Sequence, residues 1–155
     1  MKDWFGPRQK QSLFVLVFML AGIAYMTCRN ERQDSPEAKV RAIVQELVSA
    51  AESKDLGPFK KYLSEQVTDE SGRKRDELLN VMRGIFFSHK KISLTLVSLD
   101  IATNTNPNLI DARVVVLMSE TLLPTEKGDF LVGFRKEAAG WRIWEVKWGE
   151  GYGID

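Results

Sequence analysis

Hydrophobic residues follow three patterns along this chain. The segment from Leu13 to Cys28 is an unbroken uncharged run of 16 residues. From Ser35 to about Phe86, apolar residues recur every three or four positions, and from Lys91 to Trp148 they alternate with polar residues. An unbroken run is typical of a membrane segment, a spacing of three and four of amphipathic helices, and strict alternation of strands.

The middle pattern predicts three helices. Ser35 can cap a first helix that begins at Pro36, the favoured first helical residue, and ends near Lys54. Gly57 restarts the chain into a short second helix, and a polar loop over residues 68–74 precedes the third. The apolar faces of these helices hold Val40, Ile43, Val44, Leu47, Val48 and Ala51, then Phe59, Tyr62 and Leu63, then Leu78, Leu79, Val81, Met82, Ile85 and Phe86.

The alternating region predicts four strands. In the first, which starts at Lys91, the apolar set changes phase at Val97, and this change predicts a bulge. Residues 103–108, TNTNPN, form a turn before a second strand over 111–118. The third strand surrounds Val132 and the fourth is WRIWEVKW, residues 141–148. The predicted fold class is α+β, with three helices covering one face of a curved antiparallel sheet of about four strands.

This order of elements resembles the nuclear transport factor 2-like superfamily, which has a cystatin-like fold, over about residues 35–148. The segment LSEQVTDESGRKRDELLNVMRGIFF followed by KKISLTLVSLDI is similar to extracytoplasmic bacterial members with no assigned activity. The resemblance implies a cone-shaped domain with a cavity for a small apolar ligand, and frequent dimerisation through the sheet. The superfamily includes isomerases, hydrolases, dehydratases and non-catalytic binding modules, so it indicates a fold rather than one function.

The predicted organisation is a short basic region over 1–11, a membrane anchor or signal segment over 12–28, a linker over 29–34, and the folded domain over 35–155. A helix of 16 residues spans about 24 Å, against roughly 30 Å for the hydrocarbon core of a bilayer. The most apolar stretch consists of Leu13, Phe14, Val15, Leu16, Val17, Phe18, Met19 and Leu20.

Three interpretations of this segment stay open: an uncleaved anchor, a cleaved signal peptide, and a lipoprotein signal with lipid on Cys28. Gly22 and Ala24 offer only a modest cleavage site, and residues 25–27, Tyr-Met-Thr, depart from a lipobox. The anchor is therefore favoured. Because residues 1–10 carry three basic side chains, the N-terminus is predicted to be cytoplasmic, with the domain in the periplasm of a bacterial inner-membrane, single-pass protein.

Charge and composition exclude several classes of function. Removing residues 1–28 from the 22 basic and 21 acidic residues of the chain leaves 19 basic and 20 acidic ones, without a basic stripe, so nucleic-acid binding is not predicted. Cys28 is the single cysteine and His89 the single histidine, which argues against disulfide, thiolate zinc and redox chemistry. We predict no metal and no cofactor.

Four polar residues lie near segments that could line the cone: Tyr62, Asp100, Asp111 and Arg113. Asp100 could be a buried general base, although an exposed carboxylate at a strand end is favoured. Asp111 and Arg113 share a strand face and suit either a surface ion pair or substrate recognition. These residues do not match a known catalytic signature.

Tryptophan is concentrated near the C-terminus. By strand alternation, Trp144 and Trp148 share one face and Trp141 points to the other, so Trp144 or Trp148 could bind a protein partner or a second subunit. The leading functional prediction is a membrane-tethered extracytoplasmic binding or assembly module. The alternative is an isomerase- or dehydratase-like enzyme that uses Asp100 or Asp111 with Tyr62; convergence of these side chains in an open cavity would favour it.

Overall fold

The computed structural model describes residues 35–119 and 126–149. The predicted membrane segment, Cys28 and the linker lie outside these residues, and among the helices described none is long and apolar enough to cross a bilayer. The chain divides into two units, 1–38 and 39–155, and the sheet belongs to the second. The elements are α1 Pro36–Glu52, α2 Gly57–Tyr62, β1 Leu63–Asp69, α3 Arg75–Ser88, β2 Ser93–Thr103, β3 Leu109–Ser119, β4 Glu126–Glu137 and β5 Gly140–Trp148.

The three helices form where the pattern predicts them. The Ser35 hydroxyl accepts the N–H of Ala38 at 3.1 Å, which is the predicted cap of α1. Just beyond α1, Lys54 adopts a left-handed conformation with φ 57°, and its ammonium donates to the carbonyls of His89 and Lys90. The C-terminal end of α1 is thereby tied to the connection between α3 and β2.

The sheet differs from the predicted one by an additional strand. It has five strands in the order β1-β5-β4-β3-β2, and the predicted antiparallel sheet of four strands is wrong in this respect. Part of β1 falls within the loop predicted over residues 68–74. This strand runs parallel to β5, with Leu63 opposite Ile143 and Asp69 opposite Val146, so the sheet is mixed.

Two bulges interrupt the strand pairing. Val97 is the additional residue between Leu96 and Ser98 of β2, where the change of phase predicts a bulge. In β5, Trp144 is the additional residue opposite the step from Gly133 to Phe134 of β4. Bulges bend a strand and increase its twist, and they therefore contribute to the curvature of this sheet.

One face of the sheet packs against the helices, and we call it the inner face; the other is the outer face. Phe134 of β4 is fully buried at the centre of the inner face. Burial of such side chains stabilises the fold by roughly 1.5–3 kcal/mol each. The buried cluster consists of Val40, Ile43, Val44, Leu63, Val67, Leu78, Leu79, Ile110, Ala112, Val114, Val116, Phe134, Trp141 and Ile143.

Candidate functional site

The inner face is where this arrangement of helices and sheet would enclose a ligand. Within residues 35–119 and 126–149, its buried cluster is apolar throughout, and the two buried polar residues are Ser64 and Asp69 of β1. Phe59, Leu96 and Phe130 pack against the same cluster. A buried catalytic group would therefore have to come from β1.

Asp69 is the buried carboxylate that sequence reasoning missed. Its Oδ1 accepts the N–H of Ser71 at 3.0 Å and of Arg73 at 2.9 Å, and its Oδ2 accepts Arg73 Nε at 2.7 Å. Burial raises the pKa of Asp69, but the backbone and guanidinium hydrogen bonds of Arg73 outweigh burial and lower it below 3.8. These bonds hold the turn between β1 and α3 and fill three of the roughly four lone-pair sites of the carboxylate.

The sequence does contain a local signal for this role. Asp69 opens the polar stretch DESGR, and Gly72 takes a positive φ of 75° there. An aspartate that accepts backbone N–H groups two residues further on is a common feature of such turns. The aspartate could therefore have been predicted as a turn residue, although its burial could not, because that burial depends on the unpredicted strand β1.

Ser64 belongs to a polar cluster that joins β1 to β4. Its hydroxyl donates to Glu137 Oε1 at 2.7 Å, and Arg135 Nη2 donates to the same carboxylate oxygen at 2.8 Å. Hydrogen bonds from Arg135 and then Ser64 lower the pKa of Glu137. A hydroxyl that donates to a carboxylate could resemble an activated nucleophile, but here the carboxylate is already neutralised by arginine.

Tyr62 lies at the end of α2 and is bonded to α1. Its hydroxyl donates to Glu46 Oε2 at 2.5 Å, and the ammonium of Lys61 lies 3.3 Å from Glu46 Oε1 and 4.4 Å from the centroid of the Tyr62 ring. The hydrogen bond from Tyr62 lowers the pKa of Glu46. The tyrosine is thus engaged at the surface with two charged side chains.

Asp100, Asp111 and Arg113 lie together on the outer face. Asp100 stands opposite Arg113 across the β2–β3 ladder, and both aspartates are exposed. Arg113 binds Asp129 with two hydrogen bonds, Nε at 3.1 Å and Nη2 at 2.7 Å. This pair raises the pKa of Arg113 and lowers the pKa of Asp129. The partner of Arg113 is therefore Asp129, and none of the three residues faces the inner cluster.

The two candidate tryptophans lie on opposite faces, because the bulge at Trp144 changes the phase of β5. Trp148 pairs with Phe130 on the inner face, with the two ring centroids 5.1 Å apart and edge to face. The Trp144 indole lies over Gly133 on the outer face, where a Cβ atom would come within 2.9 Å of its Nε1. The prediction that Trp144 and Trp148 share a face is wrong.

His89 follows α3, and its N–H donates to the carbonyl of Ile85 at 3.2 Å. Among the described residues, no group of three histidine, cysteine, aspartate or glutamate side chains is placed to hold a metal ion.

No protein-family model matches the chain, and no curated protein matches it. Solved structures do match. An NTF2-like protein of unknown function from Pseudomonas putida KT2440 is 11% identical with a TM-score of 0.64, over 77% of this chain and 89% of that one. A protein with a cystatin-like fold from Caulobacter vibrioides is 15% identical with a TM-score of 0.60, over 70% of this chain and 84% of that one.

A third similar structure carries a name that suggests an activity. The putative ketosteroid isomerase from Shewanella frigidimarina is 17% identical with a TM-score of 0.58, and the match covers 75% of this chain and 96% of that one. These identities are too low to carry an activity over. They do show that the chain has the nuclear transport factor 2-like fold, as its sequence resemblance predicts.

Proposed function

We propose that this chain is a binding or assembly module, held at a bacterial inner membrane by residues 12–28, with its domain outside the cytoplasm. The observation that carries the non-enzymatic part of this proposal is the apolar inner cluster. Tyr62 and Arg113 are engaged with the carboxylates of Glu46 and Asp129, and Asp69 accepts three hydrogen bonds from the turn that follows it. The cluster of buried side chains has the composition of a core rather than of a reaction site.

The membrane part of the proposal rests on the sequence. The uncharged run of 16 residues has no polar face of the kind that an amphipathic core helix carries, and basic residues precede it. A lipid on Cys28, or cleavage after residue 24, would change how the domain is attached or released but not the side of the membrane on which it lies.

The outer face is the surface that we assign to binding. Leu131 of β4 is 46% exposed between its cross-strand neighbours Arg113 and Lys147, and Val97 in the bulge of β2 is 55% exposed. Exposed apolar residues within a polar rim are characteristic of recognition surfaces. Because the domain is close to neutral, a protein partner fits this face better than nucleic acid does.

Membrane attachment is tested by fractionating cells that express the full chain. We expect the protein in the membrane pellet after alkaline carbonate extraction, with an intact mass that begins at Met1. A mass that corresponds to a chain starting at Tyr25 would show that the segment is a cleaved signal peptide. A lipid-modified Cys28 would show that it is a lipoprotein signal. Recovery of the unprocessed chain in the soluble fraction would contradict the proposal.

The binding surface is tested by placing a photo-crosslinking amino acid at position 131, with position 87 as the matched control. Leu131 lies on the outer face, and Phe87 on α3 is also apolar and is 93% exposed. After irradiation of membranes, we expect one reproducible protein adduct from position 131 and none from position 87. Adducts from position 87 alone would show that the binding surface lies on the helices rather than on the outer face.

The alternative function is that of an isomerase or dehydratase acting on a small apolar substrate. Its support is the shared fold with the putative ketosteroid isomerase. Asp100 and Asp111 lie on the outer face and Tyr62 on α2, so this alternative needs them to act separately. Turnover of such a substrate by the full chain, lost in Asp100→Asn or Asp111→Asn, would favour the enzyme over the module.

A further inference from the structure

We infer that the end of α3 makes a second contact with the membrane, in which Phe87 enters the surface of an anionic bilayer while Arg83, Lys90 and Lys91 face its lipid phosphates. We call these four residues the basic tip. This inference rests on the proposed function, because it takes residues 12–28 as the first membrane contact. Its observations are the exposure of Phe87 and the charge of the segment around it.

Phe87 is the most exposed large apolar side chain among the described residues. It is 93% exposed, whereas its neighbour Phe86 packs edge to face against Phe59, with the two ring centroids 6.2 Å apart. A phenylalanine normally buries roughly 150 Å² or more of its surface in a folded protein. An aromatic ring that is left in solvent at a helix end is typical of residues that enter the boundary between lipid headgroups and acyl chains.

The segment that carries Phe87 is basic. Between Leu78 and Leu99 there is no acidic residue, and Arg83, Lys90 and Lys91 are all exposed. Glu52 of α1 contacts this segment, but its carboxylate accepts the backbone N–H of residue 94, at 2.9 Å. The dipole of α3 favours lysines beyond its C-terminal end. It does not account for an exposed aromatic ring beside them.

The backbone of the basic tip is held in place by α1. The ammonium of Lys54 donates to the carbonyls of His89 and Lys90, which directly follow α3. Arg83 precedes Phe87 by four residues, so the two side chains share one face of α3. A fixed backbone lowers the entropy cost of binding, because the aromatic and basic groups are already positioned together.

The composition of the basic tip fits a lipid surface better than a protein. Lysine is depleted in protein interfaces, whereas lysine and arginine beside an aromatic residue are characteristic of contacts with anionic lipid. The linker over residues 29–34 is also short, and even fully extended it reaches only about 20 Å. A short tether keeps the domain at an effective concentration of about 1 mM near the bilayer, so a weak second contact is sufficient.

The test places a fluorescent amino acid at position 87 of the full chain, which is then reconstituted in lipid nanodiscs. The nanodiscs contain equal amounts of phosphatidylcholine and phosphatidylglycerol, with bromine on the acyl chains as a short-range quencher. Position 131 is the matched control, because Leu131 is also apolar and exposed but lies on the outer face. We expect quenching at position 87 and none at position 131.

A charge-reversed variant tests the phosphate contacts. Lys90→Glu combined with Lys91→Glu should lower the ratio of contacting to free domain, measured by quenching at position 87, by at least about tenfold. Nanodiscs of phosphatidylcholine alone should give a similar loss. Lys60→Glu combined with Lys136→Glu reverses two exposed lysines elsewhere on the domain and is the matched control, which should keep the native quenching. Circular dichroism establishes that each variant folds.

Three results would overturn the inference: no quenching at position 87, equal quenching in neutral nanodiscs, or a protein adduct from position 87 in the crosslinking experiment. Carbonate extraction tests the tether separately. A chain that stays in the membrane pellet but is not quenched at position 87 would refute the inference and leave the proposed function intact. A chain that carbonate releases, but that is quenched at position 87 in anionic nanodiscs, would refute the tether and support the lipid contact.

Discussion

The two faces of the sheet share the same strands but differ in almost every other property. On β3, Ile110 and Ala112 are buried, whereas Asp111 and Arg113 between and beside them are exposed. On β4, Phe134 is fully buried, whereas a leucine on the opposite face is about half exposed. The inner face has the composition of a core, and the outer face mixes apolar and charged side chains, which is why we propose it as the binding surface.

If the proposed function holds, stability and recognition depend on separate residues. Substitutions on the inner face should change the free energy of unfolding and affect binding only through unfolding. Substitutions on the outer face should change association and leave the fold intact. The experiments below test this separation, beginning with the largest expected effect.

The sharpest test compares two residues of β4. Phe134→Ala should lower the free energy of unfolding by about 3–5 kcal/mol, because it opens a cavity in a fully buried cluster. Leu131→Ala, earlier in the same strand but on the outer face, should change it by less than about 0.5 kcal/mol. Urea unfolding followed by circular dichroism gives both values. Similar losses in the two variants would contradict the division between the faces.

Asp69 tests whether the buried carboxylate is structural. Asp69→Asn should lower the free energy of unfolding by about 2 kcal/mol at neutral pH, because the amide cannot accept from both the guanidinium and the backbone of Arg73. Asp111→Asn, on the outer face, is the control and should leave stability almost unchanged.

The acid dependence of stability gives a second measurement on the same residue. Because the pKa of Asp69 is lowered in the folded chain, its contribution is present above about pH 4 and is lost as the pH falls through the lower folded value. Glu46, Asp129 and Glu137 shift in the same direction. Thermal midpoints measured between about pH 7 and about pH 2 should therefore fall at the acid end, less steeply in Asp69→Asn. An unchanged slope in that variant would show that Asp69 does not contribute.

Gly133 tests the packing of the outer face around Trp144. A methyl group at position 133 would lie 2.9 Å from the indole nitrogen, so Gly133→Ala should displace the ring and destabilise the chain by about 1 kcal/mol. Gly84→Ala on α3 meets no neighbouring atom and should stabilise the chain by about 0.5–1 kcal/mol. Changes of opposite sign in the free energy of unfolding, measured by chemical denaturation of the two variants, support this account. Changes of equal sign contradict it.

The smallest effect is expected at Arg113, whose side chain is 58% exposed where it pairs with Asp129. Arg113→Ala should leave the unfolding midpoint nearly unchanged at physiological salt, since solvent and ions screen the exposed end of the pair. A salt-dependent loss of several degrees in the midpoint would show that the outer face also contributes to stability.

Periodicity predicted the elements that have a long apolar pattern. The cap at Ser35, the three helices and the bulge at Val97 are all local features, and each is confirmed. β1 could not be found in this way. It has only two buried apolar residues, Leu63 and Val67, and it pairs with a strand that lies far along the chain, at residues 140–148. Its existence depends on a tertiary contact rather than on its own sequence.

The candidate site residues also show that local sequence patterns do not predict tertiary contacts. Alternation placed Asp111 and Arg113 together on one face, but it could not tell which face the helices would cover. The faces of Trp144 and Trp148 were mistaken because one additional residue in β5 reverses the alternation. A bulge can be predicted from a sequence only when the apolar pattern changes phase, as it does at Val97. In β5 no such change can be recognised, because tryptophans lie on both faces of the strand.

The parallel pairing of β1 with β5 also constrains the order in which the domain can fold during synthesis. β1 and α3 emerge from the ribosome well before the strand that fills the space between β1 and β4. Until residues 140–148 are available, Leu63 and Val67 have no partner strand, and Asp69 has no sheet to be buried against. Contacts of such high sequence separation are slow to form. We therefore expect completion of the domain to be late, with β1 joining the sheet as its last strand.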